Sequence, residues 1–166
     1  MSMMMPEDRY SDRYTDSRDE AHWGLPDPDH QPAFYDMVAT KRALAFVVDF
    51  ILIVIIAALI VPFTAFTGIF FFPFLVAVVN FAYRVITIAN GSATWGMRLM
   101  GIEFRDRNGA RFDLGMAVLH TLLFTVWCST GILQVVAVVL MATTARGQGL
   151  SDLVLGSAAI NRPSSY

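Results

Sequence analysis

The sequence predicts an all-α membrane protein: a small helical bundle of three to four apolar segments, with a short β-ribbon in its cytoplasmic loop. Three observations predict it. The 166 residues are 55% hydrophobic and 16% charged, with a mean hydropathy of +0.53, too apolar for an ordinary soluble domain. Two runs, 43–63 and 69–88, each reach the ~20 residues that a helix needs to cross a ~30 Å hydrocarbon core. The charge is also divided. Residues 1–40 hold nine acids against three Arg (−6), whereas residues 41–166 hold nine Lys or Arg against five acids (+4). Neither part reads as a nucleic-acid binder.

Residues 1–33 are rich in Asp, Arg, Ser and Pro and carry the tandem RYSD RYTD. They cannot bury enough apolar surface to offset ordering entropy, so they are expected to be a disordered acidic cytosolic tail. No basic, early apolar leader precedes the first run, which is therefore expected to remain as an anchor. The segment Phe34-Tyr35-Asp36-Met37-Val38 suits the headgroup region, where aromatic rings collect.

Span one, Ala43 to Phe63, is interrupted only by Asp49. The uncharged TAFTG that follows is long enough only for a tight hairpin. Span two, Ile69 to Ile88, holds Pro73 near its start, where a missing amide proton costs least, and Asn80 and Arg84 further on. Residues 89–113 turn polar and basic, and IEFRDRNGARF fits either a β-ribbon turned at Asn108-Gly109 or a solvated loop. Leu114 to Ala142 forms a long third stretch with His120, Gln134 and a weak point at Ser129-Thr130-Gly131. It either crosses once or folds back there. LVLGSAAI could close the domain as a strand or an interfacial segment, and residues 163–166 form a flexible end. The transmembrane domain thus runs 34–162.

Lys41-Arg42 and the Arg residues of 89–113 lie on one side of the two spans, and the 64–68 turn has no charge. The positive-inside rule then places the N-terminus and the 89–113 loop in the cytoplasm.

An isolated carboxylate at the depth of Asp49 costs several kcal/mol unless it is paired, protonated or facing water. On an antiparallel hairpin Arg84 lies at a comparable depth. Asp49 is read either as one half of a buried Asp49–Arg84 clamp or as a titrating, ion-binding group. Arg42, seven residues earlier, shares its helix face. His120 is read as a hydrogen-bonded packing residue before a proton carrier. Lone Cys128 excludes an intramolecular disulfide, no metal-ligand spacing occurs, and no nucleophile–base pattern points to an enzyme. No cofactor is expected.

An Arg before an apolar run, an Asp seven residues on, and a late RGQGLSD followed by an apolar tail resemble the RDD family of small bacterial membrane proteins. The matching positions are Arg42, Asp49 and Asp152. GSATWGMRLMGIEFRDRNGARF resembles the family's Gly-Lys-x-Leu-Gly-Ile stretch before an Asp-x-Asn/Asp-Gly turn. Met97 stands where a lysine is common, and Ser151 where a histidine often precedes the last Asp. The resemblance implies a multi-pass protein of the bacterial inner membrane. Links of some members to sodium/proton antiport imply cation handling by Arg42, Asp49 and Asp152, supported by Asn80, Arg84, His120 and Gln134. Two functions compete: ion-coupled transport, with the lipid bilayer and a homo-oligomer as partners, and a non-catalytic accessory or assembly role within a larger membrane complex.

Overall fold

The computed structural model describes residues 24–162. The tandem repeat of the tail and the last four residues lie outside that range. Residues 24–33, expected as the end of the tail, are held to the rest of the chain. Leu25 is buried, the Gly24 amide donates to the Arg107 carbonyl, and the Tyr35 hydroxyl donates to Pro26 O.

Helix α1, Val38–Ile60, starts five residues before the apolar run, so Lys41 and Arg42 lie on its first two turns. Two 3₁₀ turns, Val61–Thr64 and Thr67–Ile69, carry the chain over to α2, Phe72–Ala89, with Pro73 at the start as expected. A short helix α3, Trp95–Leu99, follows; the Thr94 hydroxyl accepts from the Met97 amide and satisfies one of its first donors. Strand β1, Ile102–Arg105, leads into the loop around Asn108. The Asp113 carboxylate then caps α4, Leu114–Thr130, at the Met116 amide. Helix α5, Ile132–Thr143, short helix α6, Leu150–Leu155, and strand β2, Ala158–Asn161, complete the chain.

The β-ribbon forms, but its second strand is not the stretch after Asn108-Gly109. That turn closes locally, with the Asp106 carboxylate accepting from the Asn108 and Ala110 amides. Strand β1 instead pairs antiparallel with β2, Phe104 opposite Ala159 and Glu103 opposite Ile160. The reason is burial. Ile102 and Phe104 are enclosed in the apolar core, and Ala159, opposite Phe104, is small enough to join them there.

Among the described residues, two helices are long and apolar enough to cross a membrane, and the α4–α5 pair makes a third candidate span bent by 117° at its break. The break falls at Gly131, with φ +66°, a left-handed conformation that a side chain would strain. The third stretch therefore turns back. Asn161 fixes the return: its side chain accepts from Lys41 Nζ at 2.6 Å and donates to the carbonyls of Ala33 and Asp36.

The apolar core lies at this end of the bundle. Val38, Ala45, Ile88, Met97, Phe104 and Phe112 belong to it, drawn from α1, α2, α3, β1 and the loop before α4. Along the spans large side chains face outward, among them Phe50, Ile55, Leu59, Phe74 and Val78, as a lipid solvent allows.

The fold-back predicts a labelling pattern. In a Cys128→Ser background, cysteines at Asn108 and Arg162 should react with a membrane-impermeant thiol reagent from the same side, and a cysteine at Thr67 from the other. Labelling of positions 108 and 162 from opposite sides would make 114–143 a single crossing.

Candidate functional site

Two buried carboxylates organise the polar end of the bundle, and they differ in how fully they are satisfied. Asp152, third residue of α6, is completely enclosed. Its Oδ2 accepts from Arg42 Nη1 at 2.6 Å and from the Gly149 amide at 3.0 Å. Its Oδ1 faces His120 Nε2 at 3.0 Å and accepts from the Ser157 hydroxyl at 3.2 Å. Burial alone would raise the Asp152 carboxyl. Arg42 beside it, with His120 and the Gly149 amide, outweighs burial and holds it well below the usual carboxylate range. An ionised carboxylate only accepts, so His120 Nε2 carries the proton and donates.

The surroundings of this clasp are aromatic. The His120 ring sits 4.6 Å from that of Phe104 and 5.6 Å from that of Phe112, and Arg42 lies 5.4 Å from the Phe104 centroid. Arg42 also donates to the Gly147 carbonyl at 3.1 Å. One guanidinium thereby holds α1 both to the α5–α6 connection and to α6 itself. His120 is buried with one side-chain hydrogen bond, and its Nδ1 has no partner among the described residues.

Asp49 is held otherwise. Its Oδ1 accepts from the Tyr83 hydroxyl at 2.7 Å and from the Gly96 amide at 2.8 Å. The same hydroxyl accepts from the Trp95 amide at 3.1 Å, so α1, α2 and α3 meet at one carboxylate oxygen. Gly96 is required by proximity: a Cβ there would lie 2.3 Å from the Ala45 carbonyl oxygen and 2.8 Å from Asp49 Oδ1. The other carboxylate oxygen, Oδ2, has no hydrogen-bond partner among the described residues.

The expected Asp49–Arg84 ion pair does not form. Consecutive residues on a helix point about 100° apart, and it is Tyr83 whose direction meets α1. Arg84 turns instead onto α4, its guanidinium 3.9 Å from the centroid of Phe124, and its buried Nε has no partner. A cavity of about 700 Å³ lies between these elements and is bordered by Arg42, Asp49, Arg84, His120, Gln134 and Asp152. All but one of the sequence-predicted site residues thus border one space. Arg42 and Asp152 touch, and Asp49 stays apart from them. Asn80 is half-buried and borders neither the clasp nor the cavity. Gln134 accepts from Cys128 Sγ at 3.4 Å across the α4–α5 bend. Met97 and Ser151, where the chain departs from the family pattern, are buried on the same cavity.

Tyr83, Gly96, Gly149 and Ser157 were not among the expected site residues. Gly96 and Gly149 carried a signal, the first in the GSATWGMRLMG stretch after span two and the second within RGQGLSD.

Apolar helices with lipid-facing flanks, closed at one end by a buried arginine–aspartate clasp, define a small integral membrane protein. The chain belongs to the RDD family, whose model matches residues 37–156, a range that contains Arg42, Asp49 and Asp152. No curated protein and no solved structure matches it.

The hydrogen bonding around Asp49 predicts which neighbour it couples to. In detergent unfolding, Tyr83→Phe should cost about 1–2 kcal/mol, since the bond goes to a charged acceptor. A double-mutant cycle of Asp49→Asn with Tyr83→Phe should show a larger coupling than the cycle with Arg84→Gln. The reverse order would restore the ion-pair reading.

Proposed function

We propose that this chain is a multi-pass protein of the bacterial inner membrane, N-terminus inside, that carries protons or Na⁺ with Asp49 as the exchanging group. The observation that carries this reading is the contrast between the two carboxylates. Asp152 spends both oxygens on four neighbours, whereas Asp49 borders the cavity with Oδ2 unbonded. A carboxylate inside a membrane with a free oxygen is a natural seat for a proton or a small hard cation. Arg84 on the same cavity opposes a bound cation and keeps its hold weak enough for release, which transport requires.

In this reading the Arg42–Asp152–His120 clasp does no exchange; it holds the floor of the cavity. The protein is then a carrier and not an enzyme. The orientation rests on the Arg-rich 89–113 loop and the uncharged 64–68 turn. Because few helices wall the cavity, the pathway is completed by a second copy of the chain in a homo-oligomer.

A second reading, an accessory subunit docked on a larger membrane complex, is favoured by one observation. Phe63, Phe70, Phe71 and Phe74 crowd the α1–α2 turn, each at least 68% exposed.

Reconstituted vesicles with an imposed Na⁺ gradient separate the two. Wild-type protein should drive proton flux, and Asp49→Asn should abolish it while leaving the protein folded and monodisperse. Absence of flux from well-folded wild type would leave the accessory role. Flux that survives Asp49→Asn would remove Asp49 from the exchange.

A further inference from the structure

A second polar pocket, of about 430 Å³, lies outside the cavity and takes no part in the proposed transport. Arg98, Arg105, Arg111 and Arg162 line it with Glu103, Asn90 and Gly91. Four guanidinium groups against one carboxylate leave it an excess of three positive charges. The four come from three separate segments: α3, the β1–loop stretch and the residue after β2. Their convergence is a product of the fold, not of a local run.

Two of the four are already committed. Arg105 binds Glu103 Oε1 and donates to the Gly109 carbonyl, and Arg98 donates to the carbonyls of Ala93 and Thr87. Arg111 and Arg162 are held only by longer ion pairs with Glu103. Each stands 3.5–3.6 Å from Glu103 Oε2, makes no side-chain hydrogen bond among the described residues, and is partly open, at 65% and 39%. The buried Glu103 Oε2 itself has no hydrogen-bond partner. Glu103 thus holds two guanidinium groups at the pocket mouth without using their donors.

Position fixes the class of ligand. Asn90 and Gly91 directly follow α2, so the pocket opens where that helix leaves the hydrocarbon. Beside it, α3 exposes Trp95 and Leu99, and Arg98 lies 5.3 Å from the Trp95 ring. Exposed tryptophan next to arginine is the signature of headgroup depth. Forked guanidinium donors match phosphate oxygens in geometry as well as charge.

We propose that this pocket binds the phosphodiester headgroup of an anionic phospholipid, with Arg111 and Arg162 as the recognising residues. The acyl chains then lie along the exposed side of α3. This goes beyond the transport reading and stands or falls apart from it.

The test is thermal unfolding of the full chain in neutral detergent micelles, titrated with dioleoylphosphatidylglycerol, dioleoylphosphatidylcholine or inorganic phosphate. Phosphatidylglycerol should raise the midpoint saturably, as a ligand selective for the folded state does; the other two should not. A direct hydrogen bond from a guanidinium to the headgroup contributes about 1 kcal/mol net. Arg111→Gln should therefore weaken the apparent affinity about fivefold, and Arg111→Gln with Arg162→Gln about thirtyfold. Arg107→Gln, an equal charge loss on the same loop but outside the pocket, should leave it within about twofold. An equal response to Arg107→Gln would reduce the effect to general surface charge and overturn the site. A phosphate response equal to that of the lipid would replace the lipid by a free anion. No midpoint shift with phosphatidylglycerol would remove the proposal.

Discussion

The bond between Arg42 and Asp152 joins residues 110 positions apart, and the rest of the architecture follows from making it possible. A buried charge pair is stable only when both members are paired and the remaining lone pairs are satisfied. Asp152 meets that condition with four donors, from α1, α4, the turn before α6 and the second residue after it. To deliver them the third apolar stretch has to turn back at Gly131, α6 has to lie under α1, and the chain end has to return to β1. The strand pairing and the Lys41–Asn161 contact reinforce the same closure.

The location of the core agrees with this. Apolar helices in lipid gain little by burying apolar faces against one another, because the tails are as apolar as the side chains. Here the enclosed side chains gather at the polar end, while the spans keep Phe, Ile, Leu and Val outward. What orders the spans is a small number of polar junctions: Arg42–Asp152–His120 below, and Asp49–Tyr83–Gly96 between α1, α2 and α3. In the first, both carboxylate oxygens of Asp152 are satisfied. The second leaves one oxygen without a hydrogen bond on a cavity that Arg84 also borders, a guanidinium with no ion pair among the described residues.

Much of this was legible from the residues. Span length, Pro73 at a helix start, the weak point at 129–131 and the shared face of Arg42 and Asp49 are local properties, set by helical period and by backbone chemistry. Arg42 and Asp49 stood out because few charges interrupt the apolar runs, whereas Asp152 came from the family resemblance. What was not legible depends on one helix's rotation relative to another. Whether Tyr83 or Arg84 meets Asp49 turns on a single residue's ~100° step, which hydropathy does not fix. The Asn108-Gly109 signal correctly marks a turn, but a turn does not name the strand that pairs with β1. That partner is chosen by the fit of Ala159 beside Phe104 in the core, a tertiary fact. His120 looked isolated for the same reason: its partner lies 32 residues away on α6.

The most direct measure of the Arg42–Asp152 clasp is its coupling energy. Unfolding of wild type, Arg42→Gln, Asp152→Asn and the double variant in one detergent gives it. Each single change leaves a buried polar group or charge without its partner and should cost about 3–5 kcal/mol. The double variant should lose about 2–3 kcal/mol less than the sum. Losses that add to within about 0.5 kcal/mol would mean that the two side chains do not hold the fold together, and would contradict the account.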